Sequence, residues 1–239
     1  LRGTAGTRLN PYDAYAIEAA MRLREAFGKG NVTALTMGPA SAEKELRFAM
    51  AMGADNGVLL SDRALSGADV LATSRALAGA IDTLGGADIV VCGRQTTDGD
   101  TAQVGPAIAA WLGVPCAAFV TEFGLSTGAL CATQAVTNGS QSVRMPLPCL
   151  IAVDKSSCIP RAPTLKRKLA AAKLPVATLC LADLPDSDPK HFGLIGSATS
   201  VERIFPPETS KCGVIMEGSL DDIAAEIAQE LNKVRRVQC

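Results

Sequence analysis

The first half of this sequence alternates between helix-like segments and short aliphatic runs, and this order limits the possible folds more than any other feature. Helical periodicity covers residues 11–27, 41–52, 68–84 and 105–111, and strand-like runs cover residues 31–37, 57–62 and 87–92. Strict alternation with short connections predicts right-handed parallel crossovers and helices on both faces of one sheet. We therefore expect an α/β fold with a doubly wound, mainly parallel sheet.

The first helix carries sequence signals at both ends. Asn10 is a typical N-cap, Pro11 suits the first helical turn, and Gly28 and Gly30 end the segment. A doubly wound sheet usually begins with a strand, whereas this pattern begins with a helix. We therefore expect a further strand upstream of Leu1.

The second half predicts a different kind of pairing. Strand-like runs cover residues 116–122, 129–136, 142–145, 149–154 and 176–181, and a basic helical stretch covers residues 164–173. Asn138 and Gly139 separate two of these runs, which is a strong hairpin signal. The expected sheet is therefore mixed, with an antiparallel hairpin added to the parallel strands.

The sequence suggests two parts, an α/β domain at 1–184 and a C-terminal arm and helix at 185–239. Residues 185–213 lack clear periodicity, whereas residues 220–234 predict a helix with an apolar stripe, formed by Leu220, Ile223, Ala224, Ile227 and Leu231. One interpretation is a flexible tail. We favour an arm that packs on a partner subunit, because apolar residues at 204–205 and 214–216 have no purpose in a solvated tail.

Composition excludes several classes of function. The formal net charge is −1, so the basic excess of a nucleic-acid-binding protein is absent. The sequence has neither an apolar run long enough to span a membrane nor a secretory signal. Its eight cysteines include no C-x-x-C pair, and His191 is the single histidine. We therefore expect no metal site, reduced thiols and a cytoplasmic location.

The most informative polar stretch, at residues 93–106, follows the strongest strand and enters a helix. In an open α/β sheet, ligands bind beyond the carboxyl ends of the strands, and a glycine-containing turn lets backbone N–H groups approach phosphate oxygens. Asp98 and Asp100 would repel phosphate, so they suit helix capping, loop support or ribose binding. An ordinary strand–helix turn is the alternative interpretation.

The rest of the chemistry is defined by what the sequence lacks. It contains no G-x-G-x-x-G or P-loop motif and no Ser–His–Asp or Cys–His arrangement, so we predict no catalytic residue, and a bound cofactor would carry any chemistry. The basic run at 164–173 could bind phosphate or a partner, or could be a solvated helix face.

Three blocks of this sequence resemble the β-subunits of electron-transfer flavoproteins. They are NPYDAYAIEAAMRLRE at 10–25, TMGP at 36–39 with LRFAMAMGADNGVLL at 46–60, and GRQTTDGDTAQVGP at 93–106. The blocks stand in family order and cover about the first half of the chain.

The resemblance implies an α-subunit partner that carries the redox flavin, and an adenine nucleotide held by this chain. In one branch of the family the nucleotide is a structural AMP. In the other it is a second FAD that accepts electrons from NADH, which are then divided between an acyl-CoA dehydrogenase and ferredoxin or flavodoxin. Residues 61–81 and 98–106 look more like this bifurcating branch, so we favour FAD, with AMP as the alternative.

The resemblance also implies which residues bind. The expected nucleotide contacts are Asn10, Pro11, Tyr12, Asp13, Met37, Thr96, Thr97, Asp98, Gly99, Asp100, Thr101, Ala102, Gln103 and Val104. Residues 10–13 could also serve helix capping alone. The expected partner-binding residues are Leu165, Lys166 and Arg167, although Ala162 stands where the family usually has Tyr. An adenine-nucleotide sensor without redox function is the alternative from another class.

Overall fold

The computed structural model describes residues 8–203, 213 and 215–236. Contacts divide the chain into two compact units, Leu1–Ser200 and Val201–Cys239. The first unit extends beyond the predicted domain boundary at 184, because Phe192 is fully buried in a cluster with Leu181 and Leu184.

The helices and strands follow the predicted order, with ends that differ by a few residues. The helices are α1 (Pro11–Phe27), α2 (Glu43–Met52), α3 (Val70–Thr83), α4 (Val104–Leu112), α5 (Leu165–Ala171) and α6 (Leu220–Arg236). The strands are β1 (Thr33–Met37), β2 (Asn56–Leu60), β3 (Ile89–Gly93), β4 (Cys116–Ser126), β5 (Ala129–Val136), β6 (Gly139–Pro146), β7 (Cys149–Val153) and β8 (Val176–Leu179).

The strands of the described residues form two sheets. The smaller has the order β1-β2-β8 and is entirely parallel. The larger has the order β3-β7-β4-β5-β6, in which β3, β7 and β4 are parallel and β5 and β6 are antiparallel additions. The α/β class and the mixed sheet are therefore confirmed. The sequence predicted a single sheet, whereas the described strands form two.

Helices cover both faces of the parallel strands, as the aliphatic runs predicted. Successive residues of β7 point to opposite faces. Ile151 and Val153 pack in a cluster with α1, whereas Leu150 packs with α3 and α4. This two-sided burial explains why β7 is a continuous apolar run that is buried at every position.

Two tight turns build the antiparallel part. The β4–β5 turn uses Thr127 and Gly128, both with left-handed φ values (39° and 72°), as a two-residue hairpin requires. The second hairpin was predicted with Asn138 and Gly139 at its turn. Val136 pairs with Gly139 instead, so the turn is one residue earlier and Gly139 begins β6.

The second unit contains α6, which includes the residues of the predicted apolar stripe. Ile223 is half-buried, whereas Ile227 and Leu231 are exposed. The apolar residues Ile204, Phe205 and Val214, which favoured the arm interpretation, lie outside the described residues. Among the helices described, none combines the length and the apolar character that a bilayer crossing requires.

Candidate functional site

The amino end of α1 meets the carboxyl end of β3, and this junction is the base of the candidate site. Gly93 ends β3, and a Cβ at this position would lie 2.8 Å from the backbone carbon of Tyr12. Only a residue without a side chain allows this approach. The start of α1 is therefore fixed beside the loop that follows β3.

Asn10 ties the two segments together. Its Nδ2 donates to the carbonyl of Gln95 at 2.8 Å. Its Oδ1 is buried and has no hydrogen-bond partner among the described residues. An unpaired buried acceptor costs about 1–3 kcal/mol, so a donor from a bound molecule would satisfy it. Asn10 is the N-cap residue of α1, as predicted, although its side chain makes no cap hydrogen bond at this helix start.

Asp13 is a second polar group at this junction. Burial raises the pKa of its carboxyl, and hydrogen bonds with Asn10 and the Gly93 backbone oppose that effect only in part. Cys92 lies on β3 beside it, and burial raises the pKa of this thiol to about 12. The thiol therefore remains protonated and behaves as a small apolar group.

The loop from Thr96 to Gln103 holds its shape with its own side chains. Asp98 Oδ1 accepts from the Gly99 N–H at 2.8 Å, and Asp100 Oδ1 accepts from Gln95 Nε2 at 2.5 Å. The Asp100 N–H donates to the Thr96 carbonyl at 3.2 Å. Both aspartates thus support the loop, which is one of the roles that their charge suggested.

Two residues of the loop have unusual backbone conformations. Asp100 and Ala102 have left-handed φ values of 49° and 53°, which cost free energy in residues other than glycine. Gln103, which follows Ala102, is right-handed. Neighbouring residues of opposite hand turn consecutive N–H groups to one side, and such a concave group of donors binds anions.

Backbone N–H donors lie just before and at the start of α4. Within the described part of the chain, the N–H groups of residues 101–105 donate to no acceptor. They include the first N–H groups of α4, where the helix dipole also favours negative charge. Gly105 is buried, and a Cβ there would lie 3.4–3.6 Å from Ala152, Cys92 and Leu150. These are ordinary contact distances, so the packing of α4 on β3 and β7 does not require a glycine at this position.

The structure adds an ion pair that sequence reasoning missed. Arg94 follows β3 and Asp154 follows β7, and Arg94 Nη1 lies 2.6 Å from Asp154 Oδ2. Burial alone would raise the pKa of Asp154, but hydrogen bonds from Arg94 and Ser156 lower it overall. The two residues stand at the carboxyl ends of strands, so the rule that ligands bind at this edge could have singled them out.

Arg94 has a further unsatisfied group. Its guanidinium carbon lies 4.8 Å from the ring centre of Phe119, which has a left-handed φ of 54°. Its Nε is buried and has no partner among the described residues. Arg94 and Asn10 thus each present one buried, unpaired polar atom near the loop.

The predicted nucleotide residues fall in two places. Residues 10–13 and 96–104 meet around the end of β3. Met37 ends β1 in the smaller sheet, where it packs against the cluster that contains Leu60 and Leu65. Met37 thus also lies at the carboxyl end of a parallel strand, but its described contacts belong to the core and not to the loop.

The predicted partner-binding residues lie on α5. Leu165 is 72% exposed and Leu169 is 60% exposed, while Lys166 and Arg167 are also at the surface. Arg167 Nη1 donates to the Met52 carbonyl at 3.1 Å, so this residue holds α5 to the end of α2. The described residues contain no cluster of side chains suited to a metal ion.

Comparison with known proteins gives consistent matches. Residues 2–184 match the electron transfer flavoprotein domain family. The chain is 39% identical over 224 residues to "Electron transfer flavoprotein subunit beta" of Thermoanaerobacterium thermosaccharolyticum, covering 94% of this chain and 85% of that protein.

Two relatives carry other names. The chain is 38% identical over 238 residues to "Protein FixA" of Sinorhizobium fredii, covering 97% of this chain and 83% of that protein. It is 36% identical over 236 residues to "Acryloyl-CoA reductase electron transfer subunit gamma" of Anaerotignum propionicum, covering 96% and 88%.

Proposed function

The chain belongs to the electron transfer flavoprotein family, and from this premise we propose that it is a β-subunit that holds FAD and works only with an α-subunit. Together they would pass electrons between NADH, an acyl-CoA dehydrogenase and ferredoxin or flavodoxin. FAD supplies the redox chemistry when bound, because the described residues offer no catalytic group of their own. The role of this chain is to bind and orient the cofactor.

The observation that carries the proposal is the set of unpaired polar groups at the end of β3. The N–H groups of residues 101–105 donate to no acceptor among the described residues and lie at the start of α4, which suits the phosphates of an adenine dinucleotide. The unpaired Asn10 Oδ1 would accept from a ribose hydroxyl or an adenine amino group, and the unpaired Arg94 Nε would donate. The donor set therefore fits a nucleotide.

The choice of FAD over AMP rests on sequence. Residues 98–106 resemble the loop of the bifurcating branch, and the relatives include a protein named as an electron transfer subunit of acryloyl-CoA reductase. AMP would use the same phosphate donors, so the geometry of the loop supports either ligand. NADH would serve as substrate only in the FAD-binding case.

The partners follow from the same proposal. Leu165, Lys166 and Arg167 of α5 would contact the dehydrogenase, and the apolar stripe of α6 would pack on the α-subunit. A cytoplasmic location agrees with the six described cysteines, all of which are free thiols.

Mass spectrometry of the nucleotide released from the purified heterodimer is the direct test. We expect two FAD molecules per heterodimer and no AMP. One FAD and one AMP would contradict the bifurcating function but retain the β-subunit assignment. A heterodimer in which this chain holds neither nucleotide would refute the proposed site.

A further inference from the structure

The segment that would contact the dehydrogenase is stabilised little by burial of its apolar side chains. We call residues 159–169 the docking segment. Ile159 is 83% exposed, Leu165 is 72% exposed and Leu169 is 60% exposed. Since these apolar side chains face solvent, the hydrophobic effect does not fix their arrangement in the free protein. Other contacts must do so.

Glu18 supplies the most extensive of these contacts. It lies on α1, and its side chain is only 4% exposed. Its Oε2 accepts from Arg161 Nε at 2.7 Å and from the Arg161 N–H at 3.2 Å, and its Oε1 accepts from Arg161 Nη2 at 3.2 Å. One buried carboxylate therefore holds both the side chain and the backbone of Arg161.

The charge of Glu18 is well compensated. Burial works to raise the pKa of this carboxyl, but hydrogen bonds from Arg161 and Arg22 lower it below its usual value. Arg22 Nε also lies 2.8 Å from Oε1, and Glu25 gives Arg161 a second carboxylate at 2.8 Å. Bidentate pairing of this kind fixes direction as well as distance.

Other contacts hold the chain just before the docking segment and at both ends of α5. Cys158 is buried, and its Sγ donates to the Tyr15 carbonyl at 3.5 Å. Thr164 caps the start of α5, and Arg47 Nη1 donates to the carbonyls of Ala171, Ala172 and Leu174 at and just after its end. Between Cys158 and Thr164, the described polar ties of the docking segment to α1 are the bonds of Arg161 to Glu18 and to the more exposed Glu25.

We propose that Glu18 is a positioning residue for partner docking: through Arg161 it holds Ile159 and Leu165 in the arrangement that the dehydrogenase meets. The inference rests on the proposed function of α5, and it adds a residue far from that surface in sequence. Its physical basis is preorganisation, since a segment already ordered loses less conformational entropy on binding.

The test compares three variants in the heterodimer with the α-subunit. Glu18→Gln keeps the shape and removes the charge. Arg161→Gln breaks the same ion pair from its more exposed partner, together with the Arg161–Glu25 pair. It leaves Glu18 paired with Arg22, so we expect it to fold even if Glu18→Gln does not. Arg22→Gln is the matched control, because it removes a guanidinium from Glu18 but leaves the Arg161 bonds.

The first measurement is hydrogen–deuterium exchange of residues 157–165. We expect about tenfold faster exchange in Glu18→Gln and Arg161→Gln, with Arg22→Gln unchanged, because opening of the segment no longer breaks the charged bonds. Equal exchange in all four proteins would overturn the inference, whatever the docking surface does.

The second measurement is electron transfer from butyryl-CoA dehydrogenase, the probe, into the heterodimer. We expect about a tenfold higher KM for this dehydrogenase in the two test variants, an unchanged kcat and unchanged nucleotide content. The double variant of Glu18 and Arg161 should be no worse than Arg161→Gln alone, since Arg161→Gln already breaks every bond between Glu18 and the Arg161 side chain. Faster exchange with an unchanged KM would refute the positioning role, and absence of transfer by the wild-type heterodimer would refute the proposed docking function itself.

Discussion

Backbone strain in the loop is a residue-scale observation that bears on function. Asp100 and Ala102 hold left-handed φ values of 49° and 53° without being glycine. Such conformations cost about 1–3 kcal/mol each and persist where the surroundings impose them, commonly at ligand sites. Here they accompany N–H groups of residues 101–105 that have no acceptor in the described chain, so we interpret the strain as part of the phosphate site.

Removing polar side chains beside these donors should weaken nucleotide retention. Thr101→Ala with Gln103→Ala deletes two exposed groups that can donate to phosphate. Each bond to a charged group contributes about 1.5–3 kcal/mol, so we expect at least tenfold weaker retention, measured by equilibrium dialysis. Thr178→Ala with Gln141→Ala makes the same deletions at exposed positions of β8 and β6. Normal retention in the first double variant would show that the phosphate site lies elsewhere.

Asp13 should make stability depend on pH in an unusual direction. Because burial raises its pKa above 3.8, the folded chain binds this proton more tightly than the unfolded chain does. The contribution of Asp13 to stability is therefore full below the unfolded pKa and is lost as the pH rises through the folded pKa.

The Asp13→Asn variant has no carboxyl group at this position, so it does not lose this part of the folding stability as the pH rises. The melting temperature of the variant minus that of the wild type should increase from pH 4 to pH 7, measured by circular dichroism at equal nucleotide saturation. Asp88→Asn, at an exposed position before β3, should show no such increase. A difference that decreases with pH would mean that the Asp13 carboxylate is stabilised rather than penalised by its surroundings.

At the scale of elements, the site depends on two approaches between helices and strands. In the first, Gly93 lets the start of α1 reach the end of β3 more closely than a side chain would allow; in the second, the start of α4 packs on β3 and β7 at a distance that a Cβ on Gly105 would also allow. Each approach brings polar groups from one helix to the carboxyl edge of the sheet. The elements themselves follow from local patterns, whereas their separation is set by these tertiary contacts.

Gly93→Ala should disturb the first approach. The new methyl group would lie 2.8 Å from the Tyr12 backbone, so α1 must move away from β3. We expect a loss of about 1–3 kcal/mol in the free energy of unfolding and weaker nucleotide retention. Gly124→Ala in β4 is the control, because a Cβ there meets no atom within 4 Å. Urea titration should give equal values for this control and the wild type, and a stable Gly93→Ala protein would contradict the packing argument.

At the scale of the whole molecule, the chain has a compact unit, Leu1–Ser200, and a second unit that includes α6. The stripe of α6 leaves Ile227 45% exposed and Leu231 64% exposed within the described chain. An amphipathic helix with an exposed apolar stripe is expected to gain stability by packing on a further surface. The α-subunit is the surface that we propose.

Ile227→Lys should therefore weaken assembly with the α-subunit. Burial of one isoleucine contributes about 1.5–3 kcal/mol, so the Kd of the heterodimer should increase at least tenfold, measured by sedimentation. Gln229→Lys adds the same charge on the opposite side of α6 and should leave the Kd unchanged. Equal effects of the two variants would assign the result to charge and not to the stripe.

Local sequence patterns were enough to predict the elements, their order and the position of the loop. These follow from periodicities of two and about 3.6 residues and from end signals such as Asn10, Pro11 and Gly28, all of which act over a few neighbouring residues. The family resemblance added the class of ligand. Even within this range, a one-residue shift of the hairpin at Gly139 escaped prediction, because both registers suit the local sequence.

The contacts between residues far apart in sequence became known from the folded structure. Asn10 and Gln95 are 85 positions apart, Arg94 and Asp154 are 60 apart, and Glu18 and Arg161 are 143 apart. Local periodicity contains no information on such pairs, since each pair depends on how whole helices and strands pack. The unpaired atoms of Asn10 and Arg94 and the buried charge of Glu18 became visible for that reason alone.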